Sequence, residues 1–166
     1  MPDTKQSIIL GALVSGILGT SYLGYINLLC CLGVIVGALV AVWHYTDTNE
    51  ITIPTGKGAG LGAMAALGGA LIALVLNFVL IQAGIRHDLA GVEFMINNLG
   101  DSMAPEQLEA MEMQLEAPFQ LGPYLLNGIF GFAISAAFGA IGGSLGAKLF
   151  KKGGDEPTDF DVIEEL

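Results

Sequence analysis

The chain has 166 residues, 53% of them hydrophobic and only 13% charged, with a formal net charge of −10 and a mean hydropathy of +0.66. A soluble domain carries about 25% charged residues, so this composition points to lipid rather than water as the main solvent. The acidic balance, with no cluster of spaced basic residues along a face, excludes a nucleic-acid binder, because phosphate neutralisation needs grouped Lys and Arg.

Four long uncharged runs dominate the sequence. The first extends from Ser7 to about Leu23 after a start with one basic residue, Lys5. A signal peptide would need a more positive beginning and no second apolar run close behind it, so this run reads as a retained span. A second run from Ile26 to Val42 closes with Trp43, His44 and Tyr45, suited to an interfacial aromatic belt, with Tyr22 and Tyr25 marking the opposite interface. A polar link, Thr46 to Thr55, contains the breaker Pro54. The third run, Gly58 to Ile85, is about 42 Å long at 1.5 Å per residue, more than the ~30 Å hydrocarbon core. Its start is therefore expected at an interface, or the helix tilts.

Residues 86–120 are polar, with Leu89, Val92, Ile96 and Leu99, then Ala104, Leu108, Met111 and Leu115, at helical spacing. They predict two short amphipathic helices broken near Asn97–Gly100, with Asp101 or Ser102 as cap and Pro105 in the first turn. The fourth run, Leu121 to Phe150, stops at Lys148, Lys151 and Lys152. The acidic tail 153–166 has the composition of a segment disordered when unbound.

The expected fold is all-α: a polytopic membrane domain over 1–152, with spans at about 7–23, 26–43, 60–85 and 122–147, an acidic extracytoplasmic insert at 86–120, and a cytoplasmic tail at 153–166. Continuous apolar runs exclude an alternating barrel pattern, and a lipid-embedded backbone then has to be helical. With four crossings, Lys5, Lys57, Lys148, Lys151 and Lys152 share one side and Arg86 lies on the other. The positive-inside rule places both termini in the cytoplasm.

Small residues recur every fourth position in each run: Gly11, Ser15 and Gly19; Gly33, Gly37 and Ala41; Gly58, Gly62, Ala66 and Ala70, with Ala65, Gly69 and Ala73 on a neighbouring face; Gly131, Ser135, Gly139, Gly143 and Ala147. Residues four apart share a helix face, and small ones there let another backbone nest closely. These positions are the expected helix-packing interfaces, within the chain or with a partner. Leu108, Met111 and Leu115 in the insert, and Phe160, Val162 and Ile163 in the tail, are candidate partner-docking residues.

Chemistry-bearing residues are sparse. The segment Gly56 to Gly62 is glycine-rich but follows no strand and lacks a Gly-Lys-Ser/Thr, so it reads as a helix entry rather than a phosphate loop. His44 and His87 fall at opposite membrane sides, and the adjacent Cys30 and Cys31 lack further ligands. Asn27, Asn77, Gln82 and Asn127 are polar groups in or near the spans, none ionisable. No catalytic, cofactor or metal site is expected.

The segments Ile26–Gly33 and Gly56–Ala63, the helical acidic insert, and the Gly-rich last span ending in Lys151-Lys152 resemble uncharacterised four-pass bacterial membrane proteins, families known only as domains of unknown function. The resemblance implies a bacterial inner-membrane protein and supplies no catalytic residues. The sequence thus points to a structural or interaction subunit of a homo-oligomer or a larger membrane complex, not an enzyme; the alternative is a channel or small-solute transporter, lined by Asn77, Gln82 or Ser135. The purified chain is expected to stay monodisperse only with detergent or lipid present; size-exclusion chromatography in plain buffer checks this, and a sharp monomer peak there would refute the membrane assignment.

Overall fold

The computed structural model describes residues 4–20, 31–85 and 89–152. Its elements are α1 (Lys5–Leu18), α2 (Leu32–Asn49), α3 (Thr55–Gln82), α4 (Ala90–Leu99), a 3-10 turn (Gly100–Ser102), α5 (Pro105–Glu116) and α6 (Leu121–Leu149). Among the described residues there is no strand. Helices α1, α2, α3 and α6 pack together as a four-helix bundle, whereas α4 and α5 form a hairpin that packs chiefly on itself.

Two helices, α3 and α6, with 28 and 29 residues, are long and apolar enough to cross a membrane. The described α1, at 14 residues, rises only about 21 Å. The runs expected at 7–23 and 26–43 both reach into residues 21–30, which lie outside the described residues together with Tyr22, Tyr25, Asn27 and Cys30.

The second helix sits further along the chain than the apolar run suggests. Cys31 has a left-handed backbone, φ 58° and ψ 31°, and α2 begins only after it, at Leu32. A left-handed residue cannot continue a right-handed helix, so no single helix covers Ile26 to Val42. At its other end α2 continues through the expected polar link to Asn49. Thr46 makes this possible: its Oγ1 donates to the Val42 carbonyl at 3.0 Å, and the Asn49 amide donates to the Tyr45 carbonyl at 2.7 Å. Each polar side chain is satisfied on its own helix. Tyr45, expected at the lipid interface, is 1% exposed and belongs to a core with Val42, Ile53, Leu61 and Ala147; Trp43 stays exposed.

Small residues set the distance between helices. Helix α3 turns one face, Gly58, Gly62 and Ala66, to Gly139, Gly143 and Ala147 of α6; another, Ala65 and Gly69, meets Gly11, Ala12 and Ser15 of α1. A methyl group added at Gly58 would lie 2.5 Å from the Gly143 carbonyl oxygen and 2.7 Å from Ala147 Cβ. A second face of α6, Gly142 and Gly146, approaches Ile35, Ala38 and Val42 of α2. Gly58, expected near an interface, is buried at this contact. The large side chains turn outward instead: Leu71, Val75 and Val79 on α3, and Ile129 and Phe130, 65% and 62% exposed, on α6.

The insert takes the expected two-helix form with its break one turn later in detail. Helix α4 ends at Leu99, a 3-10 turn follows, and Ala104 precedes Pro105 at the start of α5. Asp101 and Ser102 lie in that turn, and the Ser102 hydroxyl donates to the Leu99 carbonyl, so neither caps α5. The proline ring explains the start: Pro105 presets the helical φ and removes a first-turn N–H that would have no acceptor within the helix.

Glycine substitutions should therefore sort by neighbour. Gly143→Ala and Gly62→Ala force backbone apart, costing about 1–3 kcal/mol, whereas Gly131→Ala and Gly60→Ala, which meet nothing within 4 Å, should leave the thermal midpoint in detergent unchanged or slightly raised.

Candidate functional site

The two ends of the bundle differ in chemistry. One end gathers the start of α1, the end of α2, the start of α3 and the end of α6, and with them Lys5, Lys57, Lys148, Lys151 and Lys152. Polar contacts close this end. Ser7 Oγ and His44 Nδ1 are 2.9 Å apart across α1 and α2. The Lys57 ammonium stands 5.0 Å from the centre of the Tyr45 ring, a cation–π distance. Lys152 Nζ meets Asp47 Oδ1 at 2.6 Å, and the Lys152 backbone N–H donates to Thr52 Oγ1 at 3.2 Å. The hydrogen bond to Asp47, then that carboxylate's charge, raises the Lys152 pKa, with Glu50 adding to the effect. His44, read from sequence as an interfacial residue, is thus an inter-helix tie.

The other end, beside the insert, opens into a cavity of about 350 Å³. It forms because the helices separate there. The small-residue stripe of α6 continues to Gly131, yet a methyl at Gly131 would meet nothing within 4 Å, unlike one at Gly139 or Gly143. On α3 the lining runs from Gly69 to Asn77, about 12 Å along the helix axis. Ser15 of α1 with Gly19 just past its end, Val34 of α2, and Gly128 and Ser135 of α6 complete the wall, with Tyr124 and the exposed Asn127 nearer the insert. Tyr124 is fixed there: its hydroxyl donates to the Leu74 carbonyl at 2.5 Å, and its ring packs on Phe119 at 5.4 Å and on Phe78 at 6.2 Å.

Two polar side-chain atoms of residues at this level are buried without a hydrogen-bond partner: Ser15 Oγ, which lies against Gly37 of α2, and Asn77 Oδ1. Buried polar groups are nearly always paired, by protein, water or ligand. Toward the basic end the cavity is shut off by the contact of Gly58 and Gly62 with Gly139 and Gly143.

The sequence-derived positions divide accordingly. Gly11, Ser15, Gly33, Gly37, Gly62, Gly69, Gly139 and Gly143 are buried, and Gly11, Ser15, Gly37, Gly62, Gly69, Gly139 and Gly143 meet another helix of the same chain. Gly19 approaches Ala73, and Gly131 and Ser135 face the cavity. Of the polar residues, Asn77 and Asn127 line the cavity and Gln82 does not. In the insert Leu108, Met111 and Leu115 are half-buried, while Phe94, Met95, Leu99 and Met113 are exposed. Phe160, Val162 and Ile163, like Arg86 and His87, lie outside the described residues. Gly142, Gly146, Gly128 and Tyr124 were not singled out from sequence. The four-residue spacing of Gly142 and Gly146 was a readable signal, whereas nothing local marks Tyr124. Among the described residues no three His, Cys, Asp or Glu side chains converge as metal ligands.

Because its pKa is raised by folding, Lys152 contributes stability that is fully present below the ordinary lysine value of about 10.4 and is lost as pH rises through the raised value. Asp47→Asn should bring the Lys152 titration back toward that ordinary value, read from the lysine side-chain carbon shifts by NMR. Comparison of the chain with protein-family profiles, with curated proteins and with solved structures gives no match.

Proposed function

We propose that this chain is an integral membrane protein with α1, α2, α3 and α6 in the bilayer, acting as an interaction subunit in a homo-oligomer or a larger membrane complex. The observation that carries the reading is the α4–α5 hairpin. It stands largely off the bundle and exposes Phe94, Met95, Leu99 and Met113. Residues 89–120 hold six Asp and Glu and neither Lys nor Arg. An apolar surface rimmed by charge of one sign suits a protein partner with a basic face and does not suit anionic lipid headgroups.

The membrane placement draws on two supports. Outward-facing Leu, Val, Ile and Phe on α3 and α6 match hydrocarbon surroundings, and glycine-lined interiors are the usual means of helix association in lipid. Five lysines gather at one end of the bundle, which argues for a cytoplasmic basic end with the hairpin on the far side. A bacterial inner membrane is the setting implied by the sequence resemblance. The small-residue faces are largely occupied within the chain, so partner contact falls to the hairpin, the outward faces of α3 and α6, and the acidic tail with Phe160, Val162 and Ile163.

The alternative reading, a channel or small-solute transporter, draws on the cavity lined by Asn77 and Ser135. Passage would require a second arrangement, because α3 and α6 meet backbone to backbone toward the basic end.

Crosslinking in native membranes followed by a blue-native gel tests the interaction reading. The expected result is an assembly larger than one chain, shifted to the monomer by Phe94→Glu or Met113→Lys. A strict monomer with no co-purifying protein, before and after crosslinking, would exclude it.

A further inference from the structure

We infer that the apolar groove on α2 near the basic end of the bundle holds one acyl chain of an anionic phospholipid, with the headgroup at Lys148 and Lys151. The inference rests on the membrane placement proposed above and adds to it a site selective for one class of lipid.

The groove belongs to the one face of α2 that its neighbours leave uncovered. Gly37 and Ala41 meet Gly11 of α1, and Ala38 and Val42 meet Gly142 and Gly146 of α6. Val36, Leu39, Val40 and Trp43 remain, spaced three and four apart as residues on one helix face are. Helix α6 ends at Leu149, and Phe150 just beyond it completes the lining of a space of about 320 Å³. All five lining residues are apolar, and Val36 and Trp43 are exposed.

Length and polarity along the groove match a lipid of one leaflet. From Val36 to Trp43 the helix rises about 10 Å, most of the ~15 Å of hydrocarbon that one leaflet contributes to a ~30 Å core. Trp43 stands at the end where the lysines gather, the usual arrangement at a membrane–water interface. An occupant must therefore be apolar over several ångströms and polar at the Trp43 end only.

Charge selects the headgroup. Phe150 is preceded by Lys148 and followed by Lys151 and Lys152. Asp47, one turn beyond Trp43, is taken up by Lys152 at 2.6 Å, and Glu50 is the other acid at this end of α2. Among the described residues here, three ammonium groups stand against two carboxylates, and Lys148 and Lys151 are both exposed. Lysines at the surface attract anionic headgroups. The tail that follows is the rival occupant. Its Phe160, Val162 and Ile163 are interleaved with Asp159, Asp161 and Glu164, and carboxylates are costly within hydrocarbon.

Trp43 is the only tryptophan of the chain, so its fluorescence reports on the groove. The full chain is reconstituted in vesicles of equal parts phosphatidylcholine and phosphatidylglycerol, with bromine on the acyl chains of one lipid at a time. Surface charge is then the same in both samples, and bromine quenches only at short range. The expected result is stronger quenching by the brominated phosphatidylglycerol, corresponding to about fivefold preferential occupancy, or ~1 kcal/mol. Lys148→Gln and Lys151→Gln, made singly and together, should move that ratio toward one. Lys5→Gln should leave it unchanged, because α1 packs on a different face of α2. Thermal midpoints show which variants are folded. Equal quenching by the two lipids overturns the inference and leaves the membrane placement standing. So does a preference kept by the folded glutamine variants, or one lost equally in Lys5→Gln, which would mark diffuse attraction. If neither lipid quenches while the chain resists alkaline extraction from the vesicles, protein fills the groove and the inference falls. Release of the chain by alkali overturns instead the membrane placement on which it rests.

Discussion

The contact on which the structure depends is the meeting of α3 and α6 at Gly58 and Gly62 against Gly139 and Gly143, where backbone touches backbone with no side chain between. A helix pair held this close has little room for large residues on its inner faces. The large residues therefore point out: Leu71, Val75 and Val79 from one helix, Ile129 and Phe130 from the other. In water such an arrangement would leave an extensive apolar surface uncovered. In lipid it costs nothing, and the close backbone approach supplies the dispersion contacts that hold the helices together. The composition, the glycine content and the outward-facing side chains thus share one physical origin.

The same periodicity has opposite consequences at the two ends of α6. At Gly139 and Gly143 the spacing brings α3 in. At Gly131 and Ser135, with the partner helices further away, it opens a cavity. Glycine permits contact without enforcing it; what decides is whether the facing helix is held. At the basic end it is held from several directions, by Ser7 with His44, Lys57 over Tyr45, and Lys152 on Asp47 and Thr52. At the insert end the described clamp is aromatic and lies on the insert side of the cavity, in Phe78, Phe119 and Tyr124. Polar groups follow this division. Thr46 and Asn49 are satisfied on their own helix, whereas Ser15 Oγ and Asn77 Oδ1 are buried and unpaired.

The sequence by itself determined the helical class, the limits of α3 and α6 within a few residues, and the two-helix form of the insert. Those follow from local properties: apolar run length, breakers such as Pro54 and Pro105, and the four-residue repeat. It misjudged α2, because Thr46 and Asn49 read as link residues when counted by polarity, although their side chains bond back to the helix. It also could not tell that Tyr45 is buried while Trp43 faces out, since both belong equally to an aromatic belt. Two of four expected spans meet the length and apolarity of a membrane crossing among the described residues. Only the tertiary structure decided which small residues meet a neighbour and which face empty space. Gly131 and Gly139 are alike in residue type and share a face, and they differ solely in how far away the next helix lies. That distance is set by contacts from residues remote in the chain, such as Lys152 to Asp47 and Tyr124 to Leu74, and no local pattern encodes it.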